Sequence, residues 1–182
     1  MVRAMDEPVY IGLGSNLANR HENIVLALLL LERDPGIRIL ACSSAYLTEP
    51  VSDRPQPTFL NAVIELETSY PPSALLVKLK GIESALGRIA GRPLGPRPID
   101  LDILMFGSRV VREPGLIIPH PRLQERHFVL YPLAEIAPEQ RHPVSGVSVA
   151  ELKLRLPRTY DPPRPVEWGR IPRWSTVSTV TS

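Results

Sequence analysis

Residues 95–107 read GPRPIDLDILMFG. Ile99 to Phe106 is an apolar run of strand length, bounded by proline before it and glycine after it. Two aspartates, Asp100 and Asp102, interrupt it. Side chains alternate along a strand, so these two point the same way, while Ile99, Leu101, Ile103 and Met105 are expected on the opposite, core-facing side. Carboxylates at that spacing stand roughly 6–7 Å apart at their Cα atoms. Their repulsion is about 2–3 kcal/mol at an effective dielectric near 20. Something positive must offset it. Arg88, Arg92 and Arg97 lie just upstream in a loop punctuated by glycine and proline. A structural aspartate–arginine network and a divalent cation both answer the local pattern. Carboxylates for a hard cation beside arginines for phosphate oxygens are what phosphoryl transfer requires.

Working outward, the preceding segment 71–86 has Leu75, Leu76, Leu79, Ile82 and Leu86 on one stripe, a helix that Gly87 ends. Before it, 59–67 alternates as a strand, with Leu60, Ala62, Ile64 and Leu66 on one face and Phe59, Asn61, Val63 and Glu65 on the other. A proline-rich loop precedes that. Further back, a strand is expected from Ile37 to about Thr48, a helix from Asn19 with Ile24, Ala27, Leu28 and Leu31 inward, and a first strand over 9–13. GLGSNL, residues 12–17, reads as a tight exit from that first strand, because Leu17 stands where a dinucleotide loop needs a glycine. After Gly107-Ser108 a hairpin strand over 109–112 is expected, then short helical pieces at 132–136 and 149–156.

The order is βαββαβ. The fold class expected is α+β, a ferredoxin-like core with an antiparallel sheet, both core helices on one face and the C-terminal pieces on the other, an α/β/α three-layer arrangement. Residues 1–156 form a single domain. Residues 157–182 carry five of the 21 prolines, show no period, and read as an extended or disordered tail, draped on the domain through Trp168 or Trp174 if ordered.

Composition bounds the function. A net charge of +2 gives no argument for nucleic acid. The one cysteine, Cys42, forms no intrachain disulfide, and residues 1–9 lack the pattern of a signal peptide. The longest apolar run, 24–31, is too short to span a membrane. A cytoplasmic protein with no membrane and no nucleic-acid partner is expected. There is no Walker A motif.

Four ordered blocks carry a resemblance: YIGLGSNLANR, SSAYLTEPV with QPTFLNAVIELET, GPRPIDLDILMFG, and IPHPRLQERHFVLYPLAEIAPE. Together they resemble the hydroxymethyl-dihydropterin pyrophosphokinase family over about residues 10–152. The resemblance implies transfer of the pyrophosphoryl group of ATP, the co-substrate, to the hydroxymethyl group of 6-hydroxymethyl-7,8-dihydropterin, with release of AMP, in folate biosynthesis. It implies two Mg²⁺ ions held by Asp100 and Asp102, with Arg88 and Arg97 on the phosphates. ATP would be framed by Lys80, Glu83, Arg92, Ile103, His120 and Arg126. The residues themselves leave Lys80 as a solvated helix residue and Ile103 as core.

The pterin would stack on Phe59 and Phe128, pair with Asn61, and meet Thr48, Pro50 and Val51. A flat heteroaromatic ring needs such faces and an in-plane donor and acceptor. Leu94 stands where some members carry tryptophan, Ala90 where some carry arginine, and Pro121 where others carry an aromatic. The expected partners are the two small substrates, and the expected state is a monomer. Two other classes fit parts of the pattern. A ferredoxin-like non-catalytic ligand- or RNA-binding module would need exposed sheet aromatics, and the chain holds only three Phe, five Tyr and two Trp. A metal-dependent glycosyltransferase would share the Asp-x-Asp triplet but needs a larger domain.

Overall fold

The computed structural model describes residues 7–50, 55–89, 95–157 and 162–166 of the 182. The chain runs β1 (Val9–Ser15), α1 (Arg20–Glu32), β2 (Ile37–Cys42), β3 (Ala45–Thr48), β4 (Phe59–Thr68), α2 (Pro72–Ala85) and β5 (Asp100–Phe106). A small hairpin follows, β6 (Val111–Glu113) with β7 (Leu116–Ile118), then a one-turn 3-10 helix at Leu123–Glu125. Helices α3 (His127–Ile136) and α4 (Val149–Leu154) and the strand β8 (Arg164–Val166) complete it. The main sheet has the order β5-β1-β4-β3-β8, with β2 also on β4, and its pairings are antiparallel.

Apolar side chains on the two faces of this sheet build two cores. On one face Ile24, Leu28 and Leu31 of α1 and Leu75 and Leu79 of α2 pack against Ile11, Ile64, Leu66 and Leu101. On the other, Leu130 and Leu133 of α3 and Val149 and Leu152 of α4 cover Tyr10, Val63, Leu104 and Met105. The α/β/α layering follows. Asn19 caps α1 as its sequence indicates, its side chain accepting from the Glu22 N–H. Such a cap is worth about 1 kcal/mol.

Several local expectations change. Met105 does not share a face with Ile103. The register against β1 slips between Tyr10 and Ile11, which pair with Met105 and Ile103, so Leu104 is the extra residue of a β-bulge. Ile103 and Phe106 therefore lie in the first core, and Leu104 and Met105 in the second. The strand expected from Ile37 to Thr48 is broken at Ser43-Ser44. There the Ser43 hydroxyl accepts from the Val63 N–H, and Glu135 of α3 accepts from the Ser44 N–H, the Ser44 hydroxyl and the Tyr46 hydroxyl. Side chains take over where the backbone ladder lapses.

The strand after Gly107 starts at Val111, not Arg109, and pairs with β7 rather than with β5. Helix α3 starts at His127, five residues before Pro132. That proline sits inside the helix and is buried in its packing face. Helix α4 ends at Leu154 rather than 156. Residues 164–166 of the tail pair with β3, and Trp168 and Trp174 lie outside the described residues. Among the described residues, no helix is long and apolar enough to cross a membrane.

Candidate functional site

Asp100 and Asp102 stand on the α3 side of β5, with Leu101 and Ile103 in the core beneath. Their partners across the ladder are glycines: Gly14 faces Asp100 and Gly12 faces Asp102. The strand expected over 9–13 runs on to Ser15, so both glycines of GLGSNL lie within it and leave bare backbone on this face, while Asn16 and Leu17 form the exit. A Cβ on Gly14 would come within 3.0 Å of Asn61 Oδ1, and one on Gly12 within 3.3 Å of Leu104. On the far side of β1, Gly14 pairs with Asn61 of β4. The result is a floor with acids at one end, bare backbone in the middle and an amide at the other, spread over two strand spacings, about 10 Å.

Above this floor lies a cavity of about 490 Å³. It is lined by Lys80, Arg88, Arg97, Asp100, Asp102, His120 and Arg126 on the charged side, and by Thr48, Pro50, Phe59, Asn61 and Phe128 on the other. Most of the residues that the resemblance selects are therefore brought together. Val51 and Arg92 lie outside the described residues, as do Ala90 and Leu94.

Each acidic oxygen of Asp100 has a different partner. Oδ1 accepts from Arg88 Nη1, and Oδ2 from Arg97 Nε at 3.0 Å. Burial works to raise the Asp100 pKa, but Arg97 and Arg88 outweigh it and hold the carboxyl below its ordinary range. Among the described residues, the Asp102 carboxylate forms no ion pair within 4.0 Å.

Glu83 and Ile103 are placed differently from the rest. Glu83 is 3% exposed and does not line the cavity. Its Oε1 accepts from the Leu101 N–H at 2.7 Å and from Lys80 at 2.8 Å, and pairs with Arg88 at 2.6 Å. Lys80 also donates to the Leu101 carbonyl at 3.2 Å. Strand β5 is a sheet edge, and α2 covers its open peptide groups at Leu101 with these two side chains. Lys80 is then held rather than merely solvated. The Ile103 side chain is core, so only its backbone can reach a ligand; by strand parity its peptide groups face the same open edge as those of Leu101.

His120 follows β7, and its N–H donates to the Leu104 carbonyl at 2.8 Å. Its Nδ1 accepts from the Arg122 N–H at 3.1 Å, and its Nε2 lies 3.3 Å from Arg126 Nη1, a group that can only donate, so a neutral ring satisfies one of these two donors at a time. Burial and Arg126 push its pKa down, so it stands neutral at pH 7. Phe59 and Phe128 are each half-buried, and each ring meets a guanidinium, Arg97 at 5.1 Å and Arg126 at 5.4 Å. Asn61 donates from Nδ2 to the Thr48 hydroxyl at 2.7 Å, which fixes the amide's orientation.

Sequence reasoning missed Asn16. It is 1% exposed, and its Oδ1 accepts from the Arg97 N–H at 2.8 Å while its own N–H donates to the Arg97 carbonyl at 3.2 Å. Its Nδ2 reaches Gln56 at 3.3 Å and the Pro57 carbonyl at 3.4 Å. One amide thus ties the arginine loop to the loop before β4. An asparagine a few residues beyond the first expected strand was the only sign in the sequence. Gly12, Gly14, Gln56 and Arg122 also line the cavity or hold its walls without having been selected.

Comparison with known proteins gives matches of the same kind. A family model described as 7,8-dihydro-6-hydroxymethylpterin-pyrophosphokinase (HPPK) matches residues 10–138. The 2-amino-4-hydroxy-6-hydroxymethyldihydropteridine pyrophosphokinase of Pseudomonas aeruginosa is 44% identical over 153 residues, 84% of this chain and 94% of that protein. The enzyme of the same name from Bacillus subtilis is 42% identical over 152 residues, 84% of this chain and 91% of that one. The folic acid synthesis protein fol1 of Pneumocystis carinii is 46% identical over 145 residues, but the 80% of this chain that aligns spans only 20% of its length. A crystal structure of wild-type HPPK-DHPS from Plasmodium falciparum superposes with a TM-score of 0.65 at 17% identity, over 82% of this chain and 44% of that one, a likeness of fold.

Proposed function

Because the chain belongs to the 7,8-dihydro-6-hydroxymethylpterin-pyrophosphokinase family, we propose that its sheet-floor cavity transfers the pyrophosphoryl group of ATP to the hydroxymethyl group of 6-hydroxymethyl-7,8-dihydropterin, releasing AMP, in folate synthesis. The observation that carries the assignment to this cavity is the row Asp100–Gly14–Asn61 across three strands. Charge-binding and ring-binding groups share one floor there, with nothing between them to keep two substrates apart.

The pterin end is read as follows. Phe59 and Phe128 supply ring faces, and both guanidinium groups now over them are displaceable contacts of about 0.5–2 kcal/mol. Asn61, oriented by Thr48, presents its amide in the plane of the ring. Thr48 and Pro50 close the side, with Val51 beyond them.

At the polyphosphate end, Arg88 and Arg97 hold transferring oxygens, and neutral His120 and Arg126 face the nucleotide. Lys80 sits beside them. Arg92 is assigned to the same end on the resemblance alone. Glu83 is read as a support for Arg88 rather than as a nucleotide contact, and Ile103 as a contact through its backbone. These groups align the chain of phosphates with the pterin hydroxyl and neutralise charge as it moves.

The donor set fits divalent magnesium. Two carboxylates share one face opposite glycines, and among the described residues no third His, Cys, Asp or Glu joins them, so substrate phosphates complete the shell. Two bound Mg²⁺ ions would shield the polyphosphate and acidify the attacking alcohol. The catalytic unit is read as the domain before residue 157, acting as a monomer. A cytoplasmic location accords with a lone, buried Cys42.

The test is product analysis. AMP should form only when ATP, Mg²⁺ and the pterin are all present. Formation of ADP instead would overturn the reading. RNA affinity without ATP binding would favour the non-catalytic module.

A further inference from the structure

Asp100 and both of its charge partners are largely shielded from solvent: the Asp100 side chain is 19% exposed, Arg88 23% and Arg97 21%. Both of its oxygens are taken, one by each arginine. Asp102, two residues along the same face, has no such partner among the described residues. One member of the pair is therefore open and the other closed. A cation approaching the ligand-free site finds a single available carboxylate with Lys80, Arg88, Arg97 and Arg126 around it. One carboxylate in a positive surround is a poor site for a strongly hydrated ion.

We propose that Arg88 and Arg97 stand in for a divalent cation on Asp100 in the ligand-free enzyme, and that the cation gains this carboxylate only when a polyphosphate draws both guanidinium groups away. Rotated onto phosphate oxygens, the arginines exchange one charge-assisted partner for another. Each has a second hold that survives the exchange. Arg88 Nη1 also pairs with buried Glu83, and Glu83 is itself fastened to the Leu101 N–H of the same strand. Arg97 Nη1 donates to the Gly95 carbonyl at 3.2 Å, and its backbone is clamped by Asn16. Neither arginine has to leave the cavity wall. Glu83 is accordingly a positioning residue, keeping Arg88 at the rim once Asp100 has been surrendered. The consequence is that metal loads with nucleotide rather than before it.

The proposal rests on the reading of Asp100 and Asp102 as metal ligands, and Mn²⁺ binding followed by electron paramagnetic resonance separates the two. Wild-type full-length protein without nucleotide should bind Mn²⁺ weakly. Arg88→Gln and Arg97→Gln each uncover one oxygen of Asp100, and each should tighten Mn²⁺ binding by about tenfold or more, with circular dichroism reporting that the variant is folded. Tight binding by the wild type, or wild-type affinity in a folded arginine variant, overturns the exchange. If one variant fails to fold, the other decides. With a nonhydrolysable ATP analogue added, the wild type should bind Mn²⁺, and Asp100→Asn and Asp102→Asn should lose that binding. If they keep it, the metal assignment fails, whatever the arginine variants do.

Discussion

At the scale of single residues, a glycine decides as much as an acid. Asp100 and Asp102 were legible as a pair because strand alternation is a local property. That Gly14 and Gly12 face them is a matter of register between strands far apart in the chain, and no local pattern reports it. Gly14 was accordingly placed in the exit from a strand expected to stop at Leu13, when the strand runs to Ser15. Gly14→Ala should leave the fold intact but set a methyl 3.0 Å from Asn61 Oδ1. We expect KM for the pterin to rise about tenfold or more, with KM for ATP little changed, in steady-state kinetics that vary each substrate in turn. Equal effects on both substrates would separate Gly14 from the pterin floor. The acids predict the complementary split. Asp102→Asn should lower kcat by roughly 10³-fold, about 4 kcal/mol of transition-state stabilisation, while the pterin still binds. Calorimetric titration of the pterin against this variant checks the second half.

At the scale of elements, the site depends on groups that tie one segment to another. Asn16 joins the end of β1 to the arginine loop and to the loop before β4. Asn16→Ala removes the acceptor of the partly buried Arg97 N–H, which costs about 1 kcal/mol of stability. It should also lower kcat more than it raises either KM, because Arg97 is misplaced rather than lost. A thermal melt and a kinetic comparison with Arg97→Ala test this; kcat equal to wild type would assign Asn16 a purely structural role. Glu135 performs the corresponding task between α3 and the break after β2, and its charge together with burial pushes the Cys42 thiol up to about 12. Burial is the larger cause, and the thiol is inert at neutral pH. The element boundaries that the sequence misplaced have a common cause. Ser43-Ser44 interrupts a strand, and Pro132 sits within a helix, because a neighbouring element supplies the missing partner or buries the offending ring. Local propensity carries no record of that help.

At the scale of the whole molecule, charge burial sets the response to acid. His120, His127 and His142 all have pKa values below the ordinary histidine value of about 6.5, in each case chiefly through burial, with Arg126 adding to the effect at His120. A depressed histidine is neutral in the native state, so its stability contribution is complete above about pH 6.5. It is lost as pH falls below that value, where the unfolded chain takes up protons first. Asp100 adds a second loss further down, as pH falls through the ordinary carboxylate range toward its lowered pKa. Glu65 acts with the opposite sign: its pKa is raised by burial and by Glu67, so protonation relieves a cost. Melting temperature should therefore decline from pH 7.5 to pH 5.5, and His142→Gln should flatten part of that slope. A melting temperature constant over this window would contradict the buried neutral histidines.

By itself the sequence determined the alternation of strands and helices, the α+β class, the cap at Asn19, the shared face of Asp100 and Asp102, and through four ordered blocks the family. All of these depend on periods of two and 3.6 residues or on short contiguous motifs. The tertiary structure alone decided that each acid faces a glycine, that Leu104 bulges and turns Met105 to the second core, that Glu83 holds Arg88 instead of lining the cavity, and that Asn16 clamps Arg97. Asn16 and Arg97 are 81 positions apart, Glu83 is anchored to Leu101, 18 positions away, and the facing of acids and glycines and the bulge turn on the pairing of two distant strands. Such contacts exist only once the sheet has set its register, because the energy that selects them is the burial of whole faces rather than the preference of any one residue.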